Sequence, residues 1–270
     1  MKHGFVKVAA VTPKIVVADT AYNADMICDC IAEASAAGAK VIVLPELCIT
    51  GYTCGDLFLQ EKLLREAKNA LLKIAGFTRF MDCLIFVGFP YAYRGKLYNV
   101  AAAISEGKIL GFVPKTWIPN YNEFYESRYF AAGMEEPVLV QFTEDITVPM
   151  GTKLLFACKE MPELKVGVEI CEDLWTPQPP SISHALNGAT LIVNLSASDE
   201  VTGKDIYRKE LVKGQSARLL CGYIFASAGE GESTTDVVYS AHNLIAEDGH
   251  ILAEAKRFTN ETIYSEIDFY

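Results

Sequence analysis

The sequence predicts an α/β protein built as a four-layer α-β-β-α sandwich, and three observations lead there. Apolar runs of strand length alternate with helical stretches along the chain. Two helices accompany the early strands and two accompany the later ones. Helices on one side only would leave the other face of each sheet apolar and bare. Packing two such halves sheet to sheet, with helices outside, buries both faces. A doubly wound dinucleotide-binding sheet is the rival, and the absence of G-x-G-x-x-G after the first strand weighs against it.

Each element has its own signal. FVKVAAV (5–11) alternates in part and reads as a strand. In 20–38, Ala24, Ile27, Cys28, Ile31 and Ala34 recur at helical spacing, with Gly38 as the stop. KVIVLPE is a strand buried on both faces. DLFLQEKLLREAKNALLKIAG is an amphipathic helix expected to open on Asp56 and to end at Gly76. CLIFVGFPYAY, KLYNVAAAIS and KILGFVPK read as strands, joined into hairpins at Arg94-Gly95-Lys96 and Glu106-Gly107-Lys108. Later come a strand LKVGVEI, a helix near 180–187, a buried strand ATLIVNLS and a helix near 204–220. GYIFASAG, VVYSAHNLIA, HILAEAK and TIYSEIDF are read as the last strands.

Composition narrows the function. With 270 residues, 51% of them apolar and 21% charged, the chain can bury a sizeable core. A net charge of -10, with no basic run, argues against a nucleic-acid partner. No run approaches the roughly 18 apolar residues that span a bilayer, and the N-terminal stretch lacks a secretory pattern. The expected setting is cytoplasmic, without membrane or nucleic-acid partners. Eight cysteines without a CxxC pair suit a reducing compartment and give no metal-ligand spacing, so no metal is expected.

Three strand ends carry groups out of keeping with the apolar runs before them. Glu46 follows the buried run VIVL, where a carboxylate must be paired or protonated. Lys115 ends KILGFVPK and is followed by an aromatic-rich segment containing Tyr121, Glu123, Phe124, Tyr125 and Glu126. Cys171 ends LKVGVEI among Glu169, Glu172 and Asp173. A carboxylate can take the proton of a thiol, and an ammonium can stabilise the oxyanion formed when that thiol attacks an acyl carbon. Reactive groups gather beyond the carboxyl ends of strands in open α/β sheets. A Cys–His pair is the alternative thiol chemistry, with His184 and His242 as the histidines left open.

LPELCITGY, VPKTWIPNYNEFYESRYF and VGVEICEDLW resemble the three signature blocks of the nitrilase (carbon-nitrogen hydrolase) superfamily. With NLSAS and GEGESTTD, the likeness extends in order over nearly the whole chain. It is nearest to the N-terminal glutaminase domain of bacterial glutamine-dependent NAD+ synthetases. The resemblance implies the α-β-β-α sandwich and a Glu46–Lys115–Cys171 triad. A second glutamate eight residues after the lysine falls on Glu123. Cys171 would attack the side-chain amide of L-glutamine, Glu46 would shuttle the proton, and Lys115 with nearby backbone N–H would hold the oxyanion. Tyr52, Tyr121, Glu172, Ser198 and Arg208 are the candidates for contacting the amino acid, whose ammonium and carboxylate call for an acid and a cation. GEGESTTD (229–236) has two readings, a loop over the site or an ordinary solvated turn.

The resemblance departs from a full synthetase in one respect: no SGG-type ATP loop occurs through Tyr270. The expectation is one carbon-nitrogen hydrolase domain over 1–270, needing no cofactor itself. ATP, Mg and deamido-NAD+ would belong to a synthetase domain supplied in cis or trans, and the family commonly forms homo-oligomers. The alternatives are a free-standing nitrilase-family amidase or N-carbamoyl amidohydrolase, and a catalytically idle scaffold subunit.

Overall fold

In the computed structural model, which describes residues 3–269, β1 (Phe5–Ala10) leads through a loop to α1 (Thr20–Ala36) and back to β2 (Val41–Val43). Asp19 caps α1 by accepting the Tyr22 N–H at 3.1 Å. β2 lies parallel to β1 and to β3 (Leu84–Tyr93), and all three of its residues are buried. A short strand hidden on both faces therefore aims its exit, Leu44-Pro45-Glu46, at the interior.

The helix expected from Asp56 starts later, as α2 (Glu61–Phe77). Residues Tyr52–Leu59 form 3-10 turns broken at Gly55, which has φ +55° and ψ -135°. Asp56 turns outward to Arg128, at 2.7 and 2.9 Å, and to the Tyr129 hydroxyl. Beyond α2, β3 joins β4 (Lys96–Ser105) and β5 (Lys108–Pro114) through two-residue turns. Arg94 and Gly95 have φ of 49° and 75°, and Glu106 and Gly107 have 49° and 79°. Both turns need positive φ at both central positions; the glycine supplies one without strain, and Arg94 or Glu106 adopts the other.

A small hairpin of β6 (Asn120–Tyr121) and β7 (Phe124–Tyr125) follows. β8 (Val138–Gln141), β9 (Thr147–Met150) and β10 (Leu155–Ala157) are further strands that the periodicity did not reveal. β11 (Lys165–Ile170), α3 (Pro180–Leu186), β12 (Leu191–Ser196), α4 (Lys204–Leu219) and β13 (Gly222–Ser227) form the second half. β14 (Leu244–Glu247), β15 (His250–Glu254) and β16 (Ile263–Asp268) complete the described chain. The strand read from Val237 begins only at Leu244. In 237–243, Ala241 adopts φ +53° and Asn243 Oδ1 accepts the Ser227 N–H at 2.8 Å, so this stretch is an irregular connection satisfied by side chains.

Eight strands make one sheet, in the order β16-β1-β2-β3-β4-β5-β9-β8, and six make the other, β10-β11-β12-β13-β14-β15. Alternate residues divide the core into layers. Val6, Val8, Phe86, Ala101 and Ala103 meet Val166, Val168, Val193 and Ile224 between the sheets. Ala9, Ile85, Val87 and Phe89 face α1 and α2, whose Ile27, Ile31, Leu71 and Ile74 are buried against them. Ile192, Tyr223 and Phe225 face α4 through Val212. The four-layer α-β-β-α sandwich results. Among the described residues no helix is long and apolar enough to cross a membrane.

Candidate active site

Glu46 leaves β2 at the seam between the sheets and is 1% exposed. Its Oε1 accepts from Lys115 Nζ at 2.7 Å and from Asn99 Nδ2 at 2.6 Å. Its Oε2 accepts the N–H of Ala197, just past β12, at 2.9 Å. One carboxylate thus receives donors from both sheets. Lys115, wholly buried at the end of β5, also donates to Glu126 Oε1 at 2.7 Å. Glu126 Oε1 takes a second donor from Tyr52 Oη at 2.8 Å, while its Oε2 has no partner. Burial opposes the Lys115 charge, but Glu126 and Glu46 outweigh it and hold the ammonium well above the ordinary lysine range. Burial pushes Glu126 up, Lys115 pulls it back, and the Glu46 charge adds to the rise.

Cys171 follows β11 directly and opens the 3-10 turn Cys171–Leu174. The thiol is 7% exposed and feels Glu46, Lys115, Glu126 and the Ala197 N–H together. Burial and the Glu46 charge raise it far above a free thiol, with Lys115 acting in the other direction. These surroundings favour the neutral thiol and set the Glu46 carboxylate among its neighbours. Asp173 ties this turn to the lysine loop by accepting from Ile170 N at 2.9 Å and Trp117 N at 2.8 Å.

The second glutamate differs from the expected one. Glu126, eleven residues after Lys115, makes the contact expected of Glu123. Asn122 turns the β6–β7 hairpin with φ +50°, which sets Glu123 half-buried on the wall of a cavity instead. Glu126 begins the next 3-10 turn and points inward. The run NEFYES holds two glutamates three apart, and only the hairpin geometry distinguishes them.

The cavity has a volume of about 180 Å³ and adjoins the triad through Tyr52, Glu126 and Tyr239. The 229–236 segment walls it with Ser233, Thr235 and Asp236. The same segment is anchored by Glu232, 8% exposed, which accepts Tyr52 N at 2.7 Å, Thr53 N at 3.0 Å and Thr53 Oγ1 at 2.6 Å. The segment therefore combines an anchored, cavity-lining part with exposed residues at 230–231 and 234–236.

Of the other candidates, Tyr121 donates to Glu172 at 2.9 Å and stands at the mouth of the site. Burial raises the Glu172 carboxyl, and the Tyr121 hydroxyl lowers it. Arg208 is fully buried and already engaged by Ser198 Oγ, Asp199 O, Glu200 Oε2 and His242 Nδ1. It has no free edge for a ligand, and it holds Ser198 in place. Lys204, the first residue of α4, pairs with Asp199 and lies within electrostatic reach of Glu172. Its Nζ lies 5.1 Å from the Trp175 ring and 5.6 Å from the Phe124 ring, close enough to Glu172 to lower it. His242 is taken up by Arg208 and Glu254, and His184 by Val168 O, so neither pairs with Cys171.

The carbon-nitrogen hydrolase family model matches residues 7–270. The glutamine-dependent NAD(+) synthetase of Mycobacterium tuberculosis is 41% identical over 95% of this chain, and that of Aquifex aeolicus is 32% identical over 85%. The chain spans only 38% and 37% of their lengths. The solved glutamine-dependent NAD(+) synthetase of Cytophaga hutchinsonii superposes with a TM-score of 0.87 at 31% identity, covering 97% of this chain and 43% of that one. An amidase from Nesterenkonia sp. shares the fold, with a TM-score of 0.77 at 17% identity over 100% of this chain and 92% of that one.

Proposed function

The chain belongs to the carbon-nitrogen hydrolase family, and on that premise we propose that it is a cysteine-dependent glutamine amidohydrolase. One observation carries the reading: a buried thiol shares its surroundings with a carboxylate and an ammonium that are themselves 2.7 Å apart. Cys171 Sγ attacks the side-chain amide carbon of L-glutamine as Glu46 takes the thiol proton. The carbonyl electrons move to oxygen, where Lys115 Nζ and backbone N–H receive the negative charge. Glu46 then returns the proton to the amide nitrogen, the C–N bond breaks, and ammonia leaves behind a glutamyl thioester. Glu46 next deprotonates water, which attacks the thioester and releases glutamate and the thiol. Glu126 keeps Lys115 aimed at the oxyanion in the role anticipated for Glu123.

The substrate's charged end is matched by opposite charges at the mouth. Glu172 with Tyr121 suits the ammonium, and Lys204 suits the carboxylate. Tyr52 lines the adjoining cavity, whereas Ser198 Oγ is engaged by Arg208. The ammonia serves an ATP-dependent synthetase domain that amidates deamido-NAD+, supplied in cis or trans. The relatives named as such synthetases, with the chain spanning 38% of their length, support this reading. Ammonia release from glutamine should exceed that from asparagine and from N-carbamoyl amino acids, and Cys171→Ala should abolish it in a folded protein. Equal rates on all three substrates would transfer the chain to the free-standing amidases.

A further inference from the structure

Behind Cys171, on the helix-facing side of the second sheet, lies a chain of buried polar side chains that the reaction above leaves unused. Cys171 has φ +43°, in the left-handed region that a non-glycine residue keeps only when its surroundings hold it there. Its N–H donates to Asn194 Oδ1 at 3.1 Å, and Ser196 Oγ donates to the same oxygen at 2.8 Å. Asn194 Nδ2 donates to Tyr223 Oη at 3.1 Å. Tyr223 in turn donates to Glu169 Oε1, and Glu169 Oε2 accepts the Ser181 N–H at 3.0 Å, at the start of α3. Asn194, Ser196, Tyr223 and Glu169 are each at most 1% exposed, so bulk water cannot stand in for a missing member. Parallel register makes the chain possible, pairing Glu169 with Asn194 and Ile192 with Tyr223 across three neighbouring strands.

The backbone N–H fixes the direction. The Cys171 N–H only donates, so Asn194 turns its oxygen there and its NH2 to Tyr223, whose single O–H goes to Glu169. The reverse orientation would set NH2 against the Cys171 N–H, two donors face to face.

Resting on the reading of Cys171 as the nucleophile, we propose that Glu169 and Tyr223 orient Asn194 as a positioning residue that holds Cys171 in its left-handed conformation. The thiol is thereby presented to Glu46 and Lys115 from a backbone that would otherwise relax into the strand. In the full chain, Tyr223→Phe keeps the ring, deletes the hydroxyl and leaves the Asn194 NH2 without its anchoring partner. The turnover number for ammonia release from glutamine should fall about a hundredfold while KM stays within about twofold. Alkylation of Cys171 by iodoacetamide, followed on its own peptide by mass spectrometry, should slow in parallel. Wild-type turnover and alkylation in that variant would overturn the proposal. Should Tyr223→Phe not fold, Asn194→Asp and Asn194→Leu decide. The aspartate keeps an oxygen for the Cys171 N–H and should retain at least about tenfold more turnover than the leucine; equal losses overturn the proposal. Cys171→Ala separates the two levels. Turnover surviving there removes the nucleophile assignment, whereas an inactive Cys171→Ala beside a fully active Tyr223→Phe removes only the positioning role.

Discussion

Gly88, in the middle of β3, has no side chain because the loop carrying Glu46 passes directly over it. A Cβ built at this position would sit 2.3 Å from Leu47 N, 2.5 Å from Pro45 O and 2.8 Å from Glu46 C. These are backbone atoms, so no rotamer change can clear them. Ordinary contact begins about 1.1 Å farther out than the closest of them. Gly88→Ala must therefore move β3 or the 45–47 backbone by roughly an ångström. The strand is tied down by the Ile49 N–H, which donates to Gly88 O at 3.2 Å, and by its pairing with β2 and β4. The loop yields more readily and takes the Glu46 carboxylate with it, away from Lys115, Asn99 and Ala197. Overpacking of this kind costs about 1–3 kcal/mol of stability. A misplacement of about 1 Å at a proton-transfer group costs about a hundredfold in turnover. Steady-state ammonia release from glutamine and urea denaturation on the same sample would measure both effects. A folded Gly88→Ala protein with turnover within about twofold of wild type would refute the coupling of β3 to Glu46, and with it the role of Glu46 as the base.

Lys115→Met leaves Glu46 and Glu126 facing each other in a buried site, and urea denaturation should show a loss of about 3–5 kcal/mol; a loss below about 1 kcal/mol would mean the carboxylates are not both charged there. Lys204→Met removes the cation at the mouth and should raise KM for glutamine about tenfold or more with little change in turnover; steady-state kinetics with an unchanged KM would assign the carboxylate to another group. Asp173 is pushed by burial to about 8, against an ordinary value of 3.8, with the Ile170 and Trp117 N–H groups pulling it down. The folded chain then binds more protons than the unfolded one between these values, so this group's stabilisation is complete below about 4 and is lost as pH rises through about 8. Asp173→Asn should flatten the decline of Tm between pH 5 and 8.5, and parallel Tm curves for the two proteins would contradict that assignment.

What the chain order made legible was local. Long apolar runs marked β2, β11 and β12, a charge at the end of a strand marked Glu46 and Lys115, because burial makes a charge costly unless it is used, and a thiol at a strand end among acids marked Cys171. The Arg94-Gly95 and Glu106-Gly107 turns were readable because the required positive φ is a property of two adjacent residues. Local signals misled where distant partners intervened. Asp56 looked like a helix cap, but Arg128 takes its carboxylate. Residues 237–243 alternate like a strand, but Asn243 and its neighbours spend their polar groups on β13 and the loops. Asn99 gave no signal of its own, since its contact with Glu46 joins residues 53 apart.

By itself, then, the sequence determined the two-sided strands, the helices that cover them and the three residue types at the strand ends, all of which follow from near-neighbour periodicity and the cost of buried charge. Only the tertiary structure decided that Glu126 and not Glu123 meets Lys115, that Arg208 is fully engaged while Lys204 stacks on Trp175, and that Asn194 accepts the Cys171 N–H. Which of several similar side chains ends up in a dry, paired position depends on atoms brought together from separate strands, and spacing along the chain does not encode that.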